Sequence, residues 1–479
     1  MKRTFVAPIG AAVIFIAAAW AFANDARTFF DSGIDNYNNG DLDLAIEDFD
    51  RAILLDPNYS AAYYNRGFTH YGKGNLDLAI EDYTQAIRIN PNDSSAYNNR
   101  GIAYRNKGNP DLAIEDYTRA IGINPNDAFA YNNRGMAYGD KGEIDLAFAD
   151  YNEAIRLSPN YVFAYNNRGI VYRNKGELDL AFADYNEAIR LDPDYAHAYS
   201  NRGIVHEQRG DLDLAIADYD RAILIDPGDA NTYNNRGNTH RAGGNLDLAF
   251  ADYDEAIRLD PNYASAYANR GVAHYDEGNL DLAIADYDEA IRLDPDYAGT
   301  YSNRGIVHHD RGSLDLAIAD FDRAILLDPN YANTYNNRGL LHHAGGNHDL
   351  AIADYTRAIN LDPNDSFPYN NRGNVYRDEG NLDLAIADYN EAIRLDPNLA
   401  TAYNNRGLAH HAGGNPDLAI ADYTRAITLD PNYATAYNNR GKAHQSEGNL
   451  DLAVADFEST LRINPNHADA RNNLETLRP

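Results

Sequence analysis

Eight histidines stand at one place in a recurring phrase: His70, His206, His240, His274, His308, His342, His410 and His444, each separated from the next by a multiple of 34 residues. Imidazole titrates near neutral pH and is the commonest metal ligand, so such a row could sense pH or hold a metal. Tyr104, Tyr138, Tyr172 and Tyr376 fill the same place in other copies. Interchange with tyrosine implies a packed ring with one polar atom satisfied. The doublets His308/His309, His342/His343 and His410/His411 invite a metal site, but adjacent helical residues point apart and helix-borne metal pairs stand at i, i+4. No metal and no cofactor is expected.

Twelve arginines keep the same period: Arg66, Arg100, Arg134, Arg168, Arg202, Arg236, Arg270, Arg304, Arg338, Arg372, Arg406 and Arg440. Thirteen aspartates, from Asp48 and Asp82 to Asp456, recur with them. A guanidinium at a helix contact needs a carboxylate, so an Arg–Asp ladder between helices is predicted. Pairing within a repeat leaves Asp48 without an arginine; pairing with the following repeat leaves Asp456. Both remain open. The chain holds no phosphate-cradling glycine loop, no nucleophile elbow and no H-E-x-x-H. It has no cysteine, which removes disulfides, thiolate metal sites and thiol nucleophiles. Catalysis has no support.

These rows need elements that place them at a constant interval. Gly67, Gly101 and so on to Gly441, a second glycine from Gly40 to Gly448, and a proline from Pro57 to Pro465 all return every 34 residues. Such a period reads as a solenoid. In the copy 94–127, Tyr97, Gly101 and Tyr104 lie at i, i+4, i+7 on one helix stripe. Gly108 supplies a turn, and Asn109 is expected to cap a second helix whose apolar stripe is Leu112, Ala113, Tyr117, Ala120 and Ile121. Pro125 ends it, and Asn126 is expected to start the next unit. Gly101 and Ala113 let the two backbones approach. One such hairpin buries too little apolar surface to fold alone, so neighbours must stack.

The pattern resembles the tetratricopeptide repeat, over about 442 of 479 residues. Tyr97, Gly101, Tyr104, Ala113, Tyr117, Ala120 and Pro125 fall at that family's framework positions 4, 8, 11, 20, 24, 27 and 32. Tyrosine replaces the usual tryptophan at position four, and arginine replaces leucine at position seven. The resemblance implies an all-α, right-handed α-solenoid superhelix of thirteen repeats in residues 26–467, starting at 26, 60, 94 and every 34 residues to 434. Residues 468–479 are expected to form a capping helix.

Tetratricopeptide arrays typically hold extended peptides in a concave groove lined by positions two, five, nine and twelve of the first helices. Position five here repeats asparagine: Asn98, Asn132, Asn166, Asn234, Asn336, Asn370, Asn404 and Asn438. Asparagine is an indifferent helix former, so an exposed amide row suggests bonding to a peptide backbone. Position nine is mostly apolar, with Met136 and Ile170 among its members. Phe129 and Phe163 at position two, Arg105 and Arg173 at position twelve, and Lys73, Lys107, Lys141 and Lys175 near the helix ends mark the N-terminal third as the local candidate for a partner site.

Residues 1–23 place Lys2 and Arg3 before the apolar run Phe5–Trp20, with Ala21, Phe22 and Ala23 as an A-x-A site. This reads as a secretory signal peptide, hence a periplasmic or secreted protein with no integral membrane segment after cleavage. The alternative is an uncleaved anchor facing outside. Asp and Glu outnumber Lys and Arg by 72 to 41, a net charge of −31. Such a surface repels nucleic acid and favours basic partners. The expectation is an exported, non-enzymatic scaffold that binds other proteins or extended peptides. The competing readings are a structural spacer without a dedicated ligand, and a pH- or metal-responsive binder using the histidines.

Overall fold

The computed structural model describes residues 25–477, so the expected leader and Trp20 lie outside the described residues. Among the described residues there are only helices and turns. Helix α1 covers 25–38, and α2 (Leu42–Leu55) pairs with it. The next hairpins are α3 (Ser60–Gly72) with α4 (Leu76–Ile89), α5 (Ser94–Asn106) with α6 (Pro110–Ile123), and α7 (Ala128–Asp140) with α8 (Ile144–Leu157). The same 13-residue and 14-residue helices alternate up to α26 (Leu450–Ile463), and α27 (Ala468–Leu477) closes the order. No helix among them is long and apolar enough to cross a membrane.

The chain divides into two compact units, one ending at Gly243 and one beginning at Gly244. In the first, α5 packs on α6 and α6 on α7, so each second helix is clamped between two first helices. In the second, α21 (Ser366–Asp378), α22 (Leu382–Leu395) and α23 (Ala400–Ala412) repeat that arrangement. At the end of the second unit, Leu474 of α27 buries against Ala453 and Phe457.

The sequence explains the close contacts. A Cβ on Gly101 would lie 2.7 Å from Cε1 of Tyr117, so only glycine lets α5 sit on that ring. Ala113 and Ala120 are fully buried beside it. Gly108 turns the chain at φ +78°, a backbone region that costs glycine little.

Three local expectations are corrected. Asn109 holds the N-cap place but makes no side-chain cap bond; its own N–H closes the glycine turn onto the Tyr104 carbonyl at 2.9 Å. Asp127, not Asn126, caps the next unit, accepting from the N–H groups of Phe129 at 3.0 Å and Ala130 at 3.3 Å. Leu112 faces outward and is 43% exposed, because the stripe Ala113, Tyr117, Ala120 and Ile121 already fills the contact.

Candidate functional site

The arginine row forms its ladder within each repeat. Arg100 donates from Nε to Asp116 Oδ2 at 2.8 Å and from Nη2 to Oδ1 at 2.7 Å. Its remaining nitrogen reaches back to Thr84 Oγ1 of the preceding repeat at 3.0 Å. Tyr97 and Tyr104 flank the guanidinium at 5.6 and 5.8 Å, within cation–π range. Equivalent pairs run from Arg66–Asp82 to Arg202–Asp218 in the first unit and from Arg270–Asp286 to Arg440–Asp456 in the second. Burial pushes the Asp116 carboxyl above its ordinary range, against the pull of Arg100. Asp48, whose repeat carries Ser32 in place of the row's arginine, accepts from Ser32 Oγ at 2.6 Å, Asn36 Nδ2 at 2.9 Å and, more distantly, Arg51 Nη1 at 3.5 Å. The irregular first repeat thus satisfies its carboxylate with two short bonds from neutral donors and a longer one from Arg51 on the same helix.

The histidine row lies against this ladder. His308 Nε2 stands 3.8 Å from Asp320 Oδ2, and His342 Nε2 stands 3.8 Å from Asp354 Oδ2. The Nδ1 atoms of His70, His308, His342 and His444 are buried without a hydrogen-bond partner. The doublets split: His308 is half-buried against the pair, while His309 is half exposed and touches Asp310. Among the described residues no three potential ligands gather around one point.

The asparagine row does not present free amides. Asn132, Asn166, Asn234, Asn370, Asn404 and Asn438 are buried, and Asn98 and Asn336 half-buried. Asn98, Asn132, Asn166, Asn336, Asn370 and Asn404 each accept from the position-six amide of the next first helix. In the first unit Asn133 Nδ2 donates to Asn98 Oδ1 at 3.1 Å and Asn167 to Asn132 at 3.0 Å. In the second, Asn371 donates to Asn336 and Asn405 to Asn370, both at 3.0 Å. The expectation of an exposed row is therefore corrected: the amides zip neighbouring repeats together. Asn438 Oδ1 and Asn473 Nδ2, which would form the last rung, are both buried and unpaired.

Where position five is not asparagine, the facing residue compensates. Ser200 meets Thr232 at 3.0 Å in the first unit, and Ser302 meets Thr334 at 3.1 Å in the second. Ala268 precedes the buried Thr300. Asn98, Asn132 and Asn404 instead precede Ala130, Ala164 and Ala436. A large residue on one helix goes with a small one on the next, a signal already present in the sequence.

The lysines are also engaged. Lys141 bonds Asp111 and Glu143, both at 2.8 Å, and Lys175 bonds Asp145 at 2.8 Å. Lys73 and Lys107 reach Asp43 and Asp77 in the same way. They tie each turn to the preceding repeat instead of forming a basic patch. Arg105 holds Asp140 through Nε at 2.6 Å and Nη2 at 3.2 Å, and Arg173 donates to Asn201 Oδ1 at 3.2 Å.

Phe129 and Phe163 remain open, 61% and 50% exposed. They belong to a run of rings that sequence reasoning missed: Phe129 to Tyr161 at 4.8 Å, Tyr161 to Phe163 at 5.7 Å, Phe163 to Tyr195 at 5.2 Å. The two-residue spacing Tyr161/Phe163 across a repeat boundary was the available signal. Position nine keeps a partly exposed apolar row, with Phe68, Ile102, Met136 and Ile170 in the first unit. Phe68, Tyr71, Tyr83, Asn99 and Ile102 line a hollow of about 90 Å³.

Models of the tetratricopeptide repeat match residues 60–93, 94–127, 128–161, 196–229, 332–365, 400–433 and 434–467, and related repeat models match much of the remainder, including 169–210 and 237–346. The chain belongs to the tetratricopeptide repeat family. Tetratricopeptide arrays mediate protein–protein interaction, and the all-α repeat architecture agrees with that membership. No curated protein matches the chain. Among solved structures it is similar to one described as the APC/C hetero-tetramer Cut9-Hcn1, at 15% identity and a TM-score of 0.55, over 93% of this chain and 95% of that one. That likeness concerns the fold alone. MamA aligns at 29% identity over 34% of this chain and 94% of its own, with a TM-score of 0.31. A tetratricopeptide repeat protein from Parabacteroides merdae aligns at 21% over 54% and 98%, with a TM-score of 0.43.

Proposed function

We propose that the chain is an exported, non-enzymatic scaffold that holds partner proteins through extended segments laid along its first helices. The observation that carries this is the position-nine row. It is apolar and partly exposed, and in the first unit it opens the hollow between Phe68 and Ile102. The polar rows beside it are bonded to one another, so side-chain pockets, not free asparagine amides, supply the grip. Phe68, Tyr71, Tyr83 and Ile102 give that hollow a mostly apolar lining, with Asn99, whose amide donates to Tyr64 Oη at 2.8 Å, as its one amide, the pattern of a side-chain pocket. The acidic surface favours a partner with net positive charge and speeds its encounter.

Affinity capture from the native envelope fraction with the full chain, compared with a Phe68→Ser/Ile102→Ser variant, tests the reading. A partner retained by the first and lost by the second, with helicity unchanged by circular dichroism, is the expected result. Equal capture by both would remove the pocket from the account. Export is tested by N-terminal sequencing of the protein from its native cells; a mature chain starting near Asn24 is expected.

A further inference from the structure

We infer that the ring run Phe129–Tyr161–Phe163–Tyr195 docks a proline-rich segment bearing basic residues. This rests on the scaffold reading but uses a different set of residues from the position-nine hollow. The run continues to His197, whose ring stacks on Tyr195 at 5.5 Å with an interplanar angle of 11°. The two phenylalanines are exposed, while Tyr161 between them and Tyr195 beyond are half-buried, so the rings form one continuous, uneven row.

The spacing selects the ligand's conformation. Steps of 5.7 and 5.2 Å link Tyr161 to Tyr195 through Phe163, so equivalent rings of successive repeats stand no more than about 11 Å apart. One turn of polyproline II is three residues and advances about 9.3 Å, so prolines three apart would meet the equivalent rings of successive repeats. Pyrrolidine rings pack flat on aromatic faces, and the helix is already extended before binding, so little ordering entropy is lost.

Charge sets the flanks. Asp127 lies two residues before Phe129 and caps its helix. Asp192 and Asp194 lie just before Tyr195; Asp194 is largely exposed and pairs with Arg221 at 3.4 Å, while Asp192 accepts from the Asp194 N–H at 3.0 Å. Three nearby arginines are each matched by one carboxylate: Arg156 by Glu153, Arg190 by Glu187 at 2.6 and 2.8 Å, and Arg221 by Asp194. Asp127 and Asp192, which accept only from backbone N–H groups, leave the row a net negative edge, and arginine or lysine beside the prolines complements it.

The same position also supplies an internal control. Phe367, in the second unit, is 56% exposed, but Asp365 precedes it and Leu399 stands where Tyr195 follows Phe163. It is a single ring without a run.

Fluorescence polarisation of the full chain with a labelled peptide of successive Pro-x-x-Pro units and terminal arginines tests the inference. Phe129→Leu/Phe163→Leu keeps apolar bulk and removes the rings; it should weaken binding roughly tenfold. Phe367→Leu should leave binding unchanged, and a peptide with its prolines replaced by alanine should bind far less. Equal binding of the two peptides, or of the ring variant, overturns the inference. Loss of the proline peptide in Phe68→Ser/Ile102→Ser alone would place it in the position-nine hollow, leaving the scaffold reading intact. Self-association of the chain, abolished in the ring variant, would assign the row to a second copy instead.

Discussion

Arg100 grips Asp116 with two nitrogens, at 2.8 and 2.7 Å, and reaches Thr84 in the preceding repeat with a third. One side chain thus closes its own hairpin and fastens it to its neighbour. Both charges are largely buried, with side chains 16% and 7% exposed. Arg100→Ala leaves the carboxylate buried and unpaired, so a loss of about 3 kcal/mol is expected. Guanidinium unfolding followed by circular dichroism measures it. Arg100→Ala/Asp116→Leu should recover most of the loss; if the double variant is no better than the single, the pair is not what stabilises the contact.

Gly101 and Gly122 lie in neighbouring helices and should respond to alanine with opposite signs. A Cβ at Gly101 meets Tyr117 at 2.7 Å, and overpacking of that kind costs about 1–3 kcal/mol. The helix-propensity gain of up to about 1 kcal/mol does not offset it. Gly122 has nothing within 4 Å of its added carbon. Gly122→Ala should therefore raise the thermal midpoint and Gly101→Ala lower it.

The amide zipper predicts a rescue. Asn132→Ser leaves Asn167 Nδ2 without its acceptor and opens a gap against Ala164, so a loss of about 1 kcal/mol is expected. Adding Ala164→Thr recreates the Ser200–Thr232 contact. A double-mutant cycle on denaturant midpoints should show a favourable coupling of at least about 0.5 kcal/mol. Additive losses would mean the two positions do not share one space.

Acid should weaken the stack through its histidines. Burial, the largest influence, lowers the pKa of His308; Arg304 and Arg311 push the same way, and Asp320 and Asp288 pull it up. Burial likewise lowers His70 and His444. The folded state binds these protons less readily than the unfolded chain, whose imidazoles titrate near 6.5. Their contribution is therefore present above about pH 6.5 and is lost as pH falls through the lower folded values. Denaturant midpoints at descending pH check this. His308→Tyr, which installs the residue found at Tyr104, should flatten the decline; an unchanged slope would clear His308 of any part in it.

Sequence alone established the period, the hairpin, the glycine turn and the rows that recur. Those follow from local physics: a glycine at positive φ, a proline that ends a helix, and apolar residues at helical spacing. Residue type also marked Phe129 and Phe163, because they stand in consecutive copies at a place where, Phe367 apart, the other copies carry small or polar residues.

Only the tertiary structure decided which partner each recurring residue takes. Arg100 has Asp116 sixteen residues after it and Asp82 eighteen before it, and both recur in every copy, so spacing cannot separate them. Asn98 lies on the same helical stripe as Ile102, yet faces Asn133, 35 residues away. Lys107 turns back to Asp77, and Leu112, apolar by type, stays outside. A helix fixes which residues share a face. The angle and distance at which the next hairpin stacks fix whether that face meets a neighbour or water, and a chain of near-identical copies carries no local mark of either.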